Sequence, residues 1–106
     1  KDKYFLLKVY KKNNKYLLVK NRNFNFLKNF NIFPMQELTK PKNFNQNLNF
    51  KLSNMNMNIK IKNDKMIKPI PFSYWIDPKK LKNYTLPTFT KKIVTYLENH
   101  KWKKLQ

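Results

Sequence analysis

Met55-Asn56-Met57-Asn58-Ile59-Lys60-Ile61 is the most regular stretch of the chain. Apolar and polar residues alternate there without a break. Side chains of a strand point to opposite faces in turn, so this pattern predicts a β-strand with Met55, Met57, Ile59 and Ile61 on a buried face. Upstream, residues 4–10 (YFLLKVY) and 15–20 (KYLLVK) flank Lys11-Lys12-Asn13-Asn14. An Asn pair between two apolar, aromatic and β-branched runs predicts a β-hairpin. Residues 26–33 (FLKNFNIF) predict a further extended run, stopped by Pro34, and the polar residues 40–49, with Pro41 and several Asn, predict a loop.

Downstream, residues 62–65 (KNDK) predict a turn. Residues 67–76 (IKPIPFSYWI) predict a strand at an edge or bulge, because Pro69 and Pro71 cannot donate ladder hydrogen bonds. Asp77-Pro78 starts a short helical turn, with Asp77 as N-cap and Pro78 at the first helical position. Residues 86–99 predict a helix, with Pro87 near its first turn and Phe89, Ile93, Tyr96 and Leu97 on one face. Lys101, Lys103 and Lys104 follow, where cations suit the negative end of the helix dipole. No repeat or domain boundary interrupts residues 1–106. The expected architecture is one α+β domain, a mostly antiparallel sheet with helices packed on it.

Composition narrows the function. The 106 residues include 24 Lys+Arg against 5 Asp+Glu, a net charge of +19. Such a balance points to a polyanionic partner, most often nucleic acid. Alanine and glycine are absent, Arg22 is the one arginine, and Lys, Asn, Phe and Ile are abundant. That usage marks an AT-rich genome, which accounts for part of the lysine excess. The absence of cysteine excludes disulfides, zinc knuckles, iron–sulfur clusters and thiol nucleophiles within these residues. The absence of glycine excludes a P-loop and a GxGxxG phosphate cradle. The apolar runs fall short of the ~20 residues that cross a bilayer, so no membrane association is expected. No secretory signal is evident. The expected location is cytoplasmic (bacterial and nucleoid-associated) or organellar. Aromatic residues make up 16% of the chain and sit in patterned segments, which argues for a folded core despite the charge.

Catalytic constellations are sparse. The carboxylates Asp2, Glu37, Asp64, Asp77 and Glu98 are scattered. A Nudix hydrolase needs several carboxylates converging to hold Mg²⁺, and Glu37 stands alone after Pro34. Ser53 and Ser73 are the candidate serine nucleophiles. The one imidazole, His100, reads as a surface residue at the helix end. By itself this chain is not expected to be an enzyme.

Three blocks occur in an order found in one family. The first is the hairpin followed by Leu27-Lys28-Asn29-Phe30-Asn31-Ile32-Phe33-Pro34, with Glu37 beyond. The second is Leu52-Ser53-Asn54-Met55-Asn56-Met57-Asn58-Ile59. The third is Trp75-Ile76-Asp77-Pro78, then Leu81, Tyr84-Thr85-Leu86-Pro87-Thr88 and Lys91-Lys92-Ile93. Together they resemble the C-terminal, Nudix-like domain of adenine DNA glycosylases, the MutY family, over residues 3 to 98. The third block is the most specific. In the first, the family's glycines are replaced, notably at Asn29.

The resemblance implies a domain that recognises 8-oxoguanine opposite adenine in duplex DNA. It implies a catalytic helical domain of the same protein as partner, lying N-terminal and absent from this chain. That domain would carry the acidic residues and usually an iron–sulfur cluster, so no cofactor is expected here. The family's Phe-Ser-His loop sits at the oxidised base. The matching positions are Leu52, Ser53 and Asn54. Ser53 is unchanged, Asn54 replaces the histidine while keeping donor and acceptor capacity, and Leu52 replaces an aromatic wedge with an aliphatic one. Lys20 and Lys51 are the candidate phosphate contacts. Phe30, Phe33, Trp75, Leu86 and Pro87 are expected to serve the fold.

Rival readings make different demands. A general nucleic-acid-binding module, ribosomal or RNA-binding, would expose Phe24, Phe26, Phe30 and Phe33 on one sheet. A Nudix hydrolase would gather acids near Glu37. A protein-interaction domain whose charge is compositional would bind DNA weakly and without sequence preference.

Overall fold

The computed structural model describes residues 1–66 and 68–100. Ile67, Lys101, Lys103 and Lys104 lie outside the described residues. No helix among those described is long and apolar enough to cross a membrane.

The alternating stretch forms the backbone of one sheet. Strand β7 (Met55–Asn63) runs parallel to β1 (Asp2–Val9) and antiparallel to β6 (Leu48–Leu52), while β5 (Met35–Leu38) pairs antiparallel with β1. The order is β5-β1-β7-β6, a mixed sheet. Phe5 and Leu7 of β1 face the same side as their register partners Ile59 and Ile61, and all four are buried. The opposite face carries an amide network. The Asn49 amide donates to Asn56 Oδ1 at 2.8 Å and to Asn58 Oδ1 at 3.2 Å. Asn58 passes the chain on to the Lys3 carbonyl at 3.2 Å. These side chains satisfy one another across three strands, from exposed Asn49 to buried Asn58, whose amide needs such partners.

The second sheet is built on β3 (Lys15–Lys20). It pairs with β2 (Lys11–Lys12), β4 (Asn31–Ile32) and β8 (Ser73–Ile76), all antiparallel. The hairpin therefore exists at Asn13-Asn14, but its long arm is not where the sequence put it. Residues 11–12 pair with β3, and the chain before Tyr10 leaves for the first sheet. The turn residues Asn13 and Asn14 have φ of 51° and 61°, the paired positive values of a type I′ turn. Asn tolerates that conformation through its short polar side chain, and it fills the role in a chain with no glycine.

Three other segments differ from expectation. Of residues 68–76, Ser73–Ile76 alone form a strand, and Pro71 and Phe72 make the turn that enters it. Of residues 26–33, Asn31–Ile32 alone are extended in a ladder. The segment before them coils around Asn21, whose side chain accepts from the Phe24 N–H at 3.0 Å and donates to the Phe26 and Leu27 carbonyls at 2.6 and 3.1 Å. Residues 48–52, on the border of the expected loop, form β6. Their apolar Leu48, Phe50 and Leu52 alternate with polar Asn49 and Lys51, a period masked by the surrounding asparagines.

Asp77 caps the 3₁₀ helix Pro78–Asn83 by accepting from the Lys79 N–H at 3.0 Å. Helix α1 (Thr88–Asn99) starts after Pro87 and buries Phe89, Ile93 and Leu97; Tyr96 is half-buried. Phe89 meets Phe50 edge-on at 4.9 Å, so α1 covers the buried face of the first sheet. Thr90, fully buried, donates to the Asn31 carbonyl at 2.7 Å and ties the helix to the second sheet. The fold is α+β, with the core of Phe5, Leu7, Leu18, Phe33, Ile59, Ile76 and Ile93 between sheets and helix.

Candidate nucleic-acid interface

The β6–β7 connection is a two-residue hairpin turn made by Ser53 and Asn54. Ser53 has φ of 54° and Asn54 does not share the positive sign, the sign pattern of a type II′ turn, which favours glycine at the first position. Both residues are exposed. Leu52 is half-buried and packs against the core, so it anchors the turn from below. Lys51 is exposed on the opposite face of β6 from Leu52, as strand alternation requires.

Two shallow clefts of about 330 Å³ each flank the turn. The outer one holds Lys51, Ser53 and Asn54 together with Asp2. The Asn56 amide donates to Asp2, and this bond holds the Asp2 carboxyl below the usual carboxylate range, so it is an anion at neutral pH. The inner cleft has Leu52, Met55 and Phe26 as apolar surface and Lys1 and Lys3 as cations, with Ser53 and Asn54 on the rim. No carboxylate lines it, although the Lys3 ammonium lies 3.3 Å from Glu37. An apolar floor with a basic, amide- and hydroxyl-bearing rim suits a planar, hydrogen-bonding base joined to phosphate. Phe26 lines this cleft from a loop, whereas its sequence context predicts a strand and places it with the aromatics of the RNA-binding rival; nothing local in the sequence signals the loop around Asn21.

Lys20 does not join this group. It lines a separate cleft of about 420 Å³ on the second sheet. Residues 20–24 line that cleft and Asn25 and Phe26 line the inner one, so one loop contributes to both. The aromatic residues named for the RNA-binding rival do not form an exposed row. Phe33 is fully buried, and Phe24 and Phe26 stack on each other at 5.0 Å and both meet Phe5 edge-on at 5.7 Å. Phe30 alone of the four is exposed.

The hydrolytic readings find little to use. Among the described residues no group of three or more His, Cys, Asp or Glu converges to hold a metal. Glu37 faces Lys3, and Glu98 accepts from the Tyr16 hydroxyl at 2.5 Å. Ser73 donates to the Ile70 carbonyl at 2.5 Å within a turn. His100 stacks on Tyr96 at 4.1 Å at the end of α1, exposed and far along the chain from either serine.

No protein-family model matches the sequence, and no curated protein sequence does. The three-dimensional structure does find likeness. It is similar to the C-terminal domain of mouse MUTYH, solved in complex with human PCNA, with a TM-score of 0.64 and 15% identity, over 95% of this chain and 90% of that one. This chain has the fold of a MutY C-terminal domain.

Proposed function

We propose that this domain recognises 8-oxoguanine opposite adenine in duplex DNA, as the C-terminal domain of an adenine DNA glycosylase, and acts with a catalytic domain of the same protein. The observation that carries the reading is a coincidence of two independent lines. The fold likeness extends over 95% of the chain. The residues matching the family's lesion-reading loop, Leu52-Ser53-Asn54, form an exposed turn beside lysines.

In this reading Ser53 and Asn54 hydrogen-bond base edges, and the inner cleft takes the oxidised base against Leu52, Met55 and Phe26. Lys51 and Lys20 hold phosphates at two places along the duplex. Extruding adenine costs a few kcal/mol of pairing and stacking, and a domain that grips the opposite strand offsets part of that cost. Phosphate contacts position the domain without reading sequence, so lesion preference rests on the turn.

The test is a titration at fixed salt, comparing duplexes with 8-oxoguanine or guanine opposite a non-excisable adenine analogue. It is repeated with Ser53→Gly/Asn54→Ala. Glycine removes the hydroxyl while keeping the positive φ that alanine would strain. Preference for the lesion duplex, abolished by the double substitution, supports the reading. Equal binding to both duplexes by the unaltered chain overturns it and leaves a general basic surface.

A further inference from the structure

The cleft of about 420 Å³ on the second sheet lies away from the hairpin turn, and apart from Lys20 the lesion-reading role does not use its lining. Its lining includes Lys20, Arg22 and Phe24 from one loop and Ile70, Pro71 and Phe72 from another segment. Phe72 is 64% exposed, the most exposed large apolar side chain among the described residues. The Arg22 guanidinium lies 4.7 Å from the centre of its ring.

Phe72 occupies a position that backbone chemistry assigns to another residue. Pro71 and Phe72 are the central residues of the turn between Ile70 and Ser73, and Phe72 has φ of 58°. Proline followed by a positive φ is the arrangement of a type II turn, where glycine or asparagine is favoured at the second place. A bulky residue there costs about 1–3 kcal/mol. Among the other residues with positive φ, four are asparagines, Asn13, Asn14, Asn29 and Asn43, and three are Leu27, Lys40 and Ser53; Phe72 is the one aromatic among the described residues. At residue 72 the chain carries an aromatic ring and leaves that ring outside the core. The Lys20 N–H donates to the Phe72 carbonyl at 2.9 Å, which fixes the turn against β3.

Arg22 adds a second oddity. It is the one arginine of a chain whose other cationic side chains are all lysine. A guanidinium stacks flat on an aromatic face, and an ammonium does not. The planar cation is thus found where planarity has a use. The cleft has Lys20 and Arg22 in its lining and no carboxylate, and its volume is within the range of small-ligand sites.

From these observations we infer that the Phe72–Arg22 cleft is a second nucleic-acid site, which takes an unpaired base of single-stranded DNA by stacking on Phe72 while Lys20 and Arg22 face its phosphates. Stacking on an aromatic ring is tolerant of base identity, so this site reads single-strandedness rather than sequence. The inference does not depend on 8-oxoguanine recognition at the hairpin turn.

The test is binding of a short oligothymidylate to the full chain across a salt series. Phe72→Asn removes the ring and suits the positive φ, so folding is preserved or improved. Arg22→Lys keeps the charge and loses the planar group. Both substitutions are expected to weaken binding, Phe72→Asn by at least about fivefold, with the slope against salt unchanged because neither removes a positive charge that neutralises phosphate. In the unaltered chain, the Phe72 ring protons are expected to shift upfield when the oligonucleotide binds. Unchanged affinity in both variants, or ring protons that do not move, overturns the inference. Anionic phospholipid vesicles that displace the oligonucleotide and lose their own binding in Phe72→Asn would also overturn it, by assigning the cleft to a membrane surface. Phe72→Asn leaves the lesion preference of the hairpin turn intact, so the two readings fail separately.

Discussion

Asn21 is the residue whose replacement tests most of this account at once. It is 2% exposed, and its amide makes three hydrogen bonds within the loop it opens, at 2.6, 3.1 and 3.0 Å. Its own backbone closes the same loop, accepting from the Asn29 N–H at 2.7 Å and donating to the Phe30 carbonyl at 2.8 Å. Asn21→Ala keeps the backbone bonds and removes the side-chain ones. A hydrogen bond contributes about 0.5–1.5 kcal/mol net, and stranding its buried partners adds to the loss. Three bonds give about 2–4 kcal/mol, out of the 5–15 kcal/mol typical of a whole domain. With a urea slope of about 1–3 kcal/mol per molar, the denaturation midpoint should fall by roughly 1 M or more at unchanged slope. The loop also carries Arg22, Phe24 and Phe26, so both clefts should lose a wall and duplex and single-strand binding should weaken together. Asn21→Asp is a sharper probe. It retains the acceptor for the Phe24 N–H but turns a carboxylate toward two carbonyls, so at pH 7 it should cost more than alanine and recover on acidification as the carboxyl is protonated. A loss under about 0.5 kcal/mol for Asn21→Ala, or an Asn21→Asp chain as stable as the unaltered one at pH 7, would refute the reasoning.

Further outcomes follow from the same geometry. Asn14→Gly, at φ of 61° in the β2–β3 turn, should raise stability by up to about 1 kcal/mol, read as a higher melting temperature. Phe5→Ala removes a fully buried ring that anchors Phe24 and Phe26 and should cost about 3–5 kcal/mol by urea denaturation. Burial pushes the Tyr16 phenol up, and the hydrogen bond to Glu98 adds to the rise; Tyr10 and Tyr74 are raised by burial as well. The folded chain therefore keeps protons that the unfolded chain releases near pH 10. Their stabilisation is complete below that pH and is lost as pH climbs through the folded values. Tyr16→Phe should cost about 1 kcal/mol at pH 7 through the lost bond to Glu98 and flatten the decline above pH 10.

Much of the fold was legible because the deciding residues act locally. Alternation at 55–61 gave β7, and Asp77-Pro78 gave the cap of the 3₁₀ helix. Spacing of Phe89, Ile93 and Leu97 gave the buried face of α1. What was not legible depends on partners distant in sequence. The pairing of β1 with β7 spans residues such as Phe5 and Ile59, and no local signal distinguishes it from the hairpin partner that lies nearer along the chain. The loop at 21–30 is shaped by one buried amide, and asparagine is too common in this chain for Asn21 to stand out. The hairpin turn at Ser53-Asn54 became legible through family likeness, since a Ser-Asn pair before a strand is an ordinary polar turn. Phe72 carried no pattern, and Arg22 stood out only as the one arginine. Their meaning lies in a positive φ and a stacking distance.

The most direct measurement of lesion reading by the turn is a map of backbone amide shifts by NMR, recorded with an 8-oxoguanine duplex and with its guanine counterpart. The difference between the two maps should centre on residues 51–56, with Phe26 and Lys3 next, while lysine-rich surfaces elsewhere respond equally to both. Identical maps, or a difference centred on α1 or another surface remote from Ser53 and Asn54, would contradict lesion reading by the turn.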